Sequence, residues 1–453
     1  MQQRAIALNR FGLGARAAEW ERASDPELWL RSQLTEFTKI DDGPTTAEIL
    51  SDVLLLQRNA RQTKRAEDRE MFRRRLREHY QAQTLSRYQR AATTDAPFRE
   101  RLVHFWSNHF AVSADKPPLA AIVGRYEDEV VRPHFLGRFA DLLRAALQHP
   151  AMIYYLDNQQ SIGPRSRAAQ LSTRRRSNRP RGLNENLARE VLELHTLGVD
   201  GGYDQRDVQA LAKMLTGWST VSVREAERSD AKRLGSFQFR SATHEPGAQR
   251  LLGRRYAAPG IAQASNALED LAVHPATATH LATKLARHFV DDRPDPALVT
   301  RLASSYLASS GELRSLYTAL IESPEARRAE PKKYKSPHEF VISVHRALAH
   351  EPRNPRALTG TLATLGQPAF RPGSPAGWPD TVADWGGADA LLKRIEWVGA
   401  AGRLVTGPAD PRAVAEAALG PTLTMATRRA VERAGSRAQA LTLLFASPEF
   451  LRR

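Results

Sequence analysis

The chain has no cysteine among its 453 residues. Disulfides, thiolate metal ligands and thiol nucleophiles are therefore excluded, while the compartment stays open. No window reaches the roughly eighteen apolar residues that a membrane-crossing helix needs. The opening MQQRAIALNRFGLGAR lacks an uninterrupted apolar stretch, so no signal peptide is expected, which suggests a cytoplasmic location and leaves the compartment open. Also missing are G-x-G-x-x-G, a Walker loop, H-E-x-x-H and G-x-S-x-G. Nicotinamide chemistry, nucleotide hydrolysis and standard zinc proteolysis lose ground accordingly, and no cofactor is expected. There is no internal repeat and no specific nucleic-acid module. Acidic residues are in short supply too, 50 against 66 basic, which gives a net charge of +16 and a pI near 10.3. Nucleic acid, acidic glycans or anionic headgroups are plausible partners on charge alone. Arginine far outnumbers lysine, which suits bidentate contacts to carboxylate, sulfate or phosphate, or simply reflects a GC-rich genome.

What is present is helical periodicity almost throughout. The expectation is a mostly α, large multi-helix globular protein with a minor β-hairpin. Its N-terminal half is residues 1–218 and its C-terminal half 219–453. Residues 45–93 form one long helical pattern or two in series, with a charged middle that predicts an exposed arm or a helical hairpin. The basic run at 73–77 is a solvated face or a polyanion contact. In FRERLVHFWSNHFAV, Phe98, Leu102, Phe105, His109 and Val112 share a stripe, so His109 should face the core.

The densest set of reactive side chains lies in NENLAREVLELHTLGVDGGYDQRDVQALAKMLTGW, residues 184–218. It reads as helix, turn and helix. Leu187, Ala188, Val191, Leu192 and Leu194 form an apolar arc, with His195 in its middle. Glu185, Asn186, Arg189, Glu190 and Glu193 face the other way. Glu185 and Glu193 each lie four residues from Arg189 and should pair with it, which leaves Glu190 free. The bland alternatives are a solvated acidic face and a hydrogen-bonded core histidine. Asp204 and Asp207 should cap the second helix.

Upstream, residues 152–156 are apolar and deliver Asp157 to a loop. Residues 165–181, Arg175 and Arg181 among them, hold arginines and no acids, placing a cationic flap beside the acidic helix. Two period-two stretches, 220–223 and 236–240, suggest the hairpin, and His244 follows in a proline-fixed turn. His280 and His288 share a helix side, two turns apart. Trp378 and Trp385, in a Pro/Gly/Trp loop at 366–387, either stack on sugar rings or pin the loop.

The segments ALNRFGLGAR, FWSNHF, YLDN, GLNENLAREVLELHTLGVDGGYDQRDVQALAKMLTGW, HEPG with LLG after it, KSPHEF and GQPAFRPGSPAGWP together resemble the bacterial family called domain of unknown function 1800. The resemblance runs from near residue 5 almost to the C-terminus. By motif it points to Asn184, Glu185, Asn186, Glu190, Glu193, His195, Trp218 and His244. It implies a possible sulfatase-like partner protein and frequent export, against which the missing signal stands out.

The leading expectation is an enzyme acting on a polar or anionic polymer, a glycan hydrolase or lyase using paired carboxylates. Glu190 would be the acid, with Asp157 or Glu185 as its partner and His195 beside them. Glu185 and Glu190 alone are separated by about 7.5 Å of helical rise and diverge in direction, so they make a poor pair. Asn186, Arg189, Trp218, His244, Arg175, Arg181 and Trp378 would hold the substrate. The alternative is a non-catalytic scaffold that docks a polyanion or an acidic partner. A third reading is a metal-dependent enzyme built from His109, His195 and His244 with a carboxylate, although no metal-ligand spacing supports it.

Overall fold

Proline and short polar side chains set where the helices begin. Pro97, Pro275, Pro296 and Pro337 each open a helix, a position whose backbone N–H would be unpaired anyway. Ser336 and Glu339 complete a reciprocal capping box at the start of Pro337–Ala347. Thr45 with Glu48, and Asp204 with Asp207, do the same for Thr46–Thr63 and Gln205–Leu215. The computed structural model describes residues 1–35, 43–174, 182–228, 233–404 and 410–453. It is almost entirely helical, with two small antiparallel hairpins.

Thr46–Thr63 and Ala66–Thr93 fold back on one another through Lys64, whose φ is +56°. Arg75 reaches across to Asp52 at 3.2 Å. The buried residues of Ala66–Thr93 fall in its second half, from Tyr80 onward, so the charged tip projects into solvent as the sequence suggested.

The large core joins residues from Ile6 to Ala326 and draws on both sides of residue 218. Phe11, Phe98 and Phe289 meet with ring centroids 5.5–5.8 Å apart, each ring worth about 1.5–3 kcal/mol when fully buried. All five members of the 98–112 stripe are buried. A second core runs from Tyr334 to Leu451. A third cluster, in which Leu13, Tyr80 and Tyr88 meet Val341, Leu362 and Phe370, links the arm to the C-terminal helices.

The first hairpin pairs Trp218–Thr220 with Phe237–Phe239, Trp218 opposite Phe239, so its first strand starts two residues before the stretch the alternation marked. The second pairs Gln249–Leu251 with Arg254–Tyr256. Leu252 and Gly253 both have positive φ there, the turn type that joins tight hairpins. Leucine in that position is unusual, which hid this hairpin from the sequence. No described helix is long and apolar enough to cross a membrane.

Candidate functional site

The central helix divides in two. Asn186–Glu190 is α-helical, and Val191–His195 widens to a π-helical turn, a distortion that often accompanies function. Widening leaves carbonyls at its end, and two imidazoles from other helices reach them. His280 Nε2 lies 3.0 Å from the Leu194 carbonyl and His109 Nε2 lies 3.1 Å from that of His195. For those nitrogens to donate, both rings must carry the proton on Nε2. Burial holds His280 down to about 4 and His109 well below the usual histidine range. His195 is fully buried, neither ring nitrogen has a partner among the described residues, and burial pushes it down to about 3.

On the outer face Arg189 pairs with both Glu193 (3.2 Å) and Glu185 (3.5 Å), as the spacing required. Gln205 also donates to Glu185 at 2.7 Å. Glu190 is half-buried and has no cation within ion-pair distance among the described residues. Burial, then the neighbouring Glu193, raises its pKa. Asp157, with φ +56°, pairs with Lys116 at 2.5 Å. Asn186 is exposed, and its backbone N–H donates to Asn184.

Trp218 is sealed in the core, its ring edge-on to Phe237 at 5.6 Å, and so acts as packing rather than as a sugar platform. His244 Nδ1 lies 2.9 Å from the Thr216 carbonyl, while His109 and His195 meet elsewhere, ring centroids 6.0 Å apart. The three histidines proposed for a metal do not form a described ligand cluster. Arg175 and Arg181 lie outside the described residues.

The concave site is built from other segments. A cavity of about 330 Å³ opens between Pro97–His109, Pro275–Phe289, the start of Pro337–Ala347 and residues 367–381. Trp378 is the one substrate-binding residue expected from sequence that lines it. Asn108 fixes that loop by taking the Trp378 N–H at 2.7 Å and donating to its carbonyl at 2.9 Å. Gly377 has to be glycine: its φ is +83°, and a Cβ would sit 2.3 Å from the Asn108 carbonyl oxygen.

Two imidazoles on the wall are oriented through Nδ1. Asp380 Oδ2 lies 2.6 Å from His288 Nδ1, and His288 Nε2 has no partner among the described residues. The Tyr88 hydroxyl is hydrogen-bonded to His338 Nδ1. Burial lowers the pKa of His288 in spite of Asp380, so its ring is neutral near pH 7. With Nδ1–H given to the carboxylate, the lone pair is on Nε2.

Both carboxylates of the wall are bound. Glu339 pairs with Arg101 and with Arg453 (2.8 Å). Asp380 holds His288 and lies 3.5 Å from Lys333. Burial would raise both pKa values, but Arg453 and Arg101 hold Glu339 down, and the hydrogen-bonded His288 with Lys333 holds Asp380 down. Two cations on the wall, Lys284 and Arg287, have no carboxylate within ion-pair distance among the described residues. The free charge of the cavity is therefore positive.

Behind His104 lies a largely buried network. Arg132 binds Glu100 through two hydrogen bonds of 2.7 Å and Glu127 at 2.8 Å, and Arg87 reaches Glu127 at 3.1 Å. Glu100, His104 and Glu127 bring ligand-type atoms within 4.8 Å of one another, but the guanidinium of Arg132 already supplies their cation.

Lys284, Arg287, the His288–Asp380 pair and His338 were not among the residues expected from sequence. A signal existed: HLATKLARH sets His280, Lys284 and His288 four apart, a polar stripe on a helix otherwise rich in Leu and Ala. A family model described as "Protein of unknown function (DUF1800)" matches residues 6–452. No curated protein and no solved structure matches the chain.

Proposed function

Because the chain belongs to that family, whose activity its description leaves open, we propose on the site's chemistry that it is an acid–base enzyme acting on an anionic glycan. The reaction is β-elimination at a uronate unit seated in the cavity, the lyase branch of the sequence reading. The observation that carries it is the 2.6 Å Asp380–His288 contact on the wall of a cavity with uncompensated positive charge. His288 Nε2 takes the proton α to the carboxylate, and the carbon–oxygen bond to the leaving sugar breaks as the new C=C forms. The departing oxygen takes a proton from solvent. Arg287 holds the carboxylate whose negative charge spreads in the transition state.

Paired-carboxylate hydrolysis is disfavoured in the cavity. It needs one carboxyl with a raised pKa, and Glu339 and Asp380 are both lowered. Glu190 has the raised pKa such a mechanism wants, but it does not line this cavity. The test is incubation with uronate-containing oligosaccharides while following the ultraviolet absorbance of the unsaturated product. Signal from the wild type that Asp380→Asn abolishes supports elimination. Cleavage without that absorbance supports hydrolysis, and binding without cleavage supports the scaffold reading.

A further inference from the structure

Lys284 stands one turn from His280 and one from His288 on Pro275–Phe289, lining the cavity. It shares the wall with Arg287, and His109, His195 and His280 are near enough to feel its charge. Asp380, the carboxylate that opposes these charges, is already engaged by His288 and Lys333. A lysine in such a place loses hydration and gains like-charged neighbours without an ion pair in return. Both effects favour the free amine.

We propose that Lys284 is an amine nucleophile that condenses with the carbonyl carbon of a small aldehyde or ketone bearing a carboxylate, with Arg287 holding that carboxylate. Arg287 is the exposed member of the pair and Lys284 the more buried one, so an anion met by Arg287 would present its other end to the amine. A cavity of about 330 Å³ is at the small end of ligand sites. In the step itself the free amine adds to the carbonyl carbon. Nζ gives up one proton and the former carbonyl oxygen gains one. The hydroxyl then leaves as water, taking a second proton, while the nitrogen lone pair closes the C=N bond. Amine and carbonyl become imine and one water, with no oxidant or reductant. Burial first, and Arg287 second, bring Lys284 down to about 8. Its free-amine fraction near neutrality is then about two orders of magnitude above that of an ordinary lysine.

This goes beyond the elimination reading and is tested without glycan turnover, so either can fail alone. The full chain is treated with glyoxylate and cyanoborohydride, which reduces the imine to a carboxymethyl amine, and peptide mass spectrometry follows each lysine. The expected result is that Lys284 is labelled at least about tenfold faster than Lys393, a half-buried lysine ion-paired with Asp389, an advantage drawn from its larger free-amine fraction. Lys284→Arg should lose the fast site while keeping the circular dichroism of the wild type. Arg287→Gln should slow labelling by glyoxylate more than labelling by formaldehyde, which has no carboxylate and registers only the loss of Arg287's charge beside the amine. Labelling of Lys284 no faster than Lys393 would overturn the nucleophile. Equal sensitivity of both probes to Arg287→Gln would overturn the carboxylate clamp.

Discussion

The outer face of the central helix and the cavity wall carry similar kinds of side chain, but they balance charge differently. On the outer face, Glu185 and Glu193 are answered by Arg189 from within the same helix, and that arginine is 40% exposed. On the wall, Glu339 is answered by Arg101 and Arg453, and His288 by Asp380, all distant in sequence, while Lys284 and Arg287 are answered by nothing described. Charge balanced locally in water costs little to assemble and says little about function. Charge balanced over long sequence distances, or left unbalanced in a cavity, must be maintained against desolvation. That makes it the stronger pointer to chemistry.

The comparison breaks most readily through stability. In the buried network behind the wall, Arg132→Met leaves Glu100 without an arginine and Glu127 with Arg87 alone, and we expect a loss of about 3–5 kcal/mol in chemical denaturation. Arg189→Met on the outer face should cost under about 1 kcal/mol. Equal losses would show that charge balanced in the interior is no costlier to disturb than charge balanced in water.

Acid should sharpen it next. His195 and His280 fold with pKa values near 3 and 4, below the ordinary 6.5. Their unfolded forms bind protons first, so stability is full above about pH 6.5 and declines as pH falls toward 4. Urea melts at successive pH values should show that decline. His195→Leu should reduce its slope by up to about 1.4 kcal/mol per pH unit, the contribution of one proton. An unchanged slope would mean that His195 is not held neutral.

The smallest expected effect is on the outer face. Glu190 carries a raised pKa, so its ionised form is disfavoured by folding at neutral pH. Glu190→Gln should therefore be neutral or slightly stabilising in the same melts; a marked loss would mean that its charge has a partner.

Local spacing made a good part of this legible. The five-residue stripe that buries His109, the apolar position of His195, the two Arg189 pairs, the Asp204–Asp207 cap and the helical arm all depend on residues within a few turns. Those interactions are fixed by helix geometry, so periodicity reveals them. The cavity was not legible because its parts come from segments far apart in the chain, from Leu13 to residues 367–381, whose meeting depends on tertiary packing. FWSNHF, KSPHEF and GQPAFRPGSPAGWP served to mark the family, yet their Asn108, His338 and Trp378 converge on the wall. Lys284 escaped for a different reason. On a helix pattern a lone lysine reads as surface, and only the fold shows that no acid waits for it.

Everything turns on where the chemistry happens. The most direct measurement is the rate on a uronate oligosaccharide of His288→Gln and Glu190→Gln, assayed beside the wild type at one pH. The account predicts a fall of about 100-fold or more for His288→Gln, the scale of a lost general base, and wild-type activity for Glu190→Gln. A silent His288→Gln with an inactive Glu190→Gln would contradict it and return the active site to the outer face of the central helix.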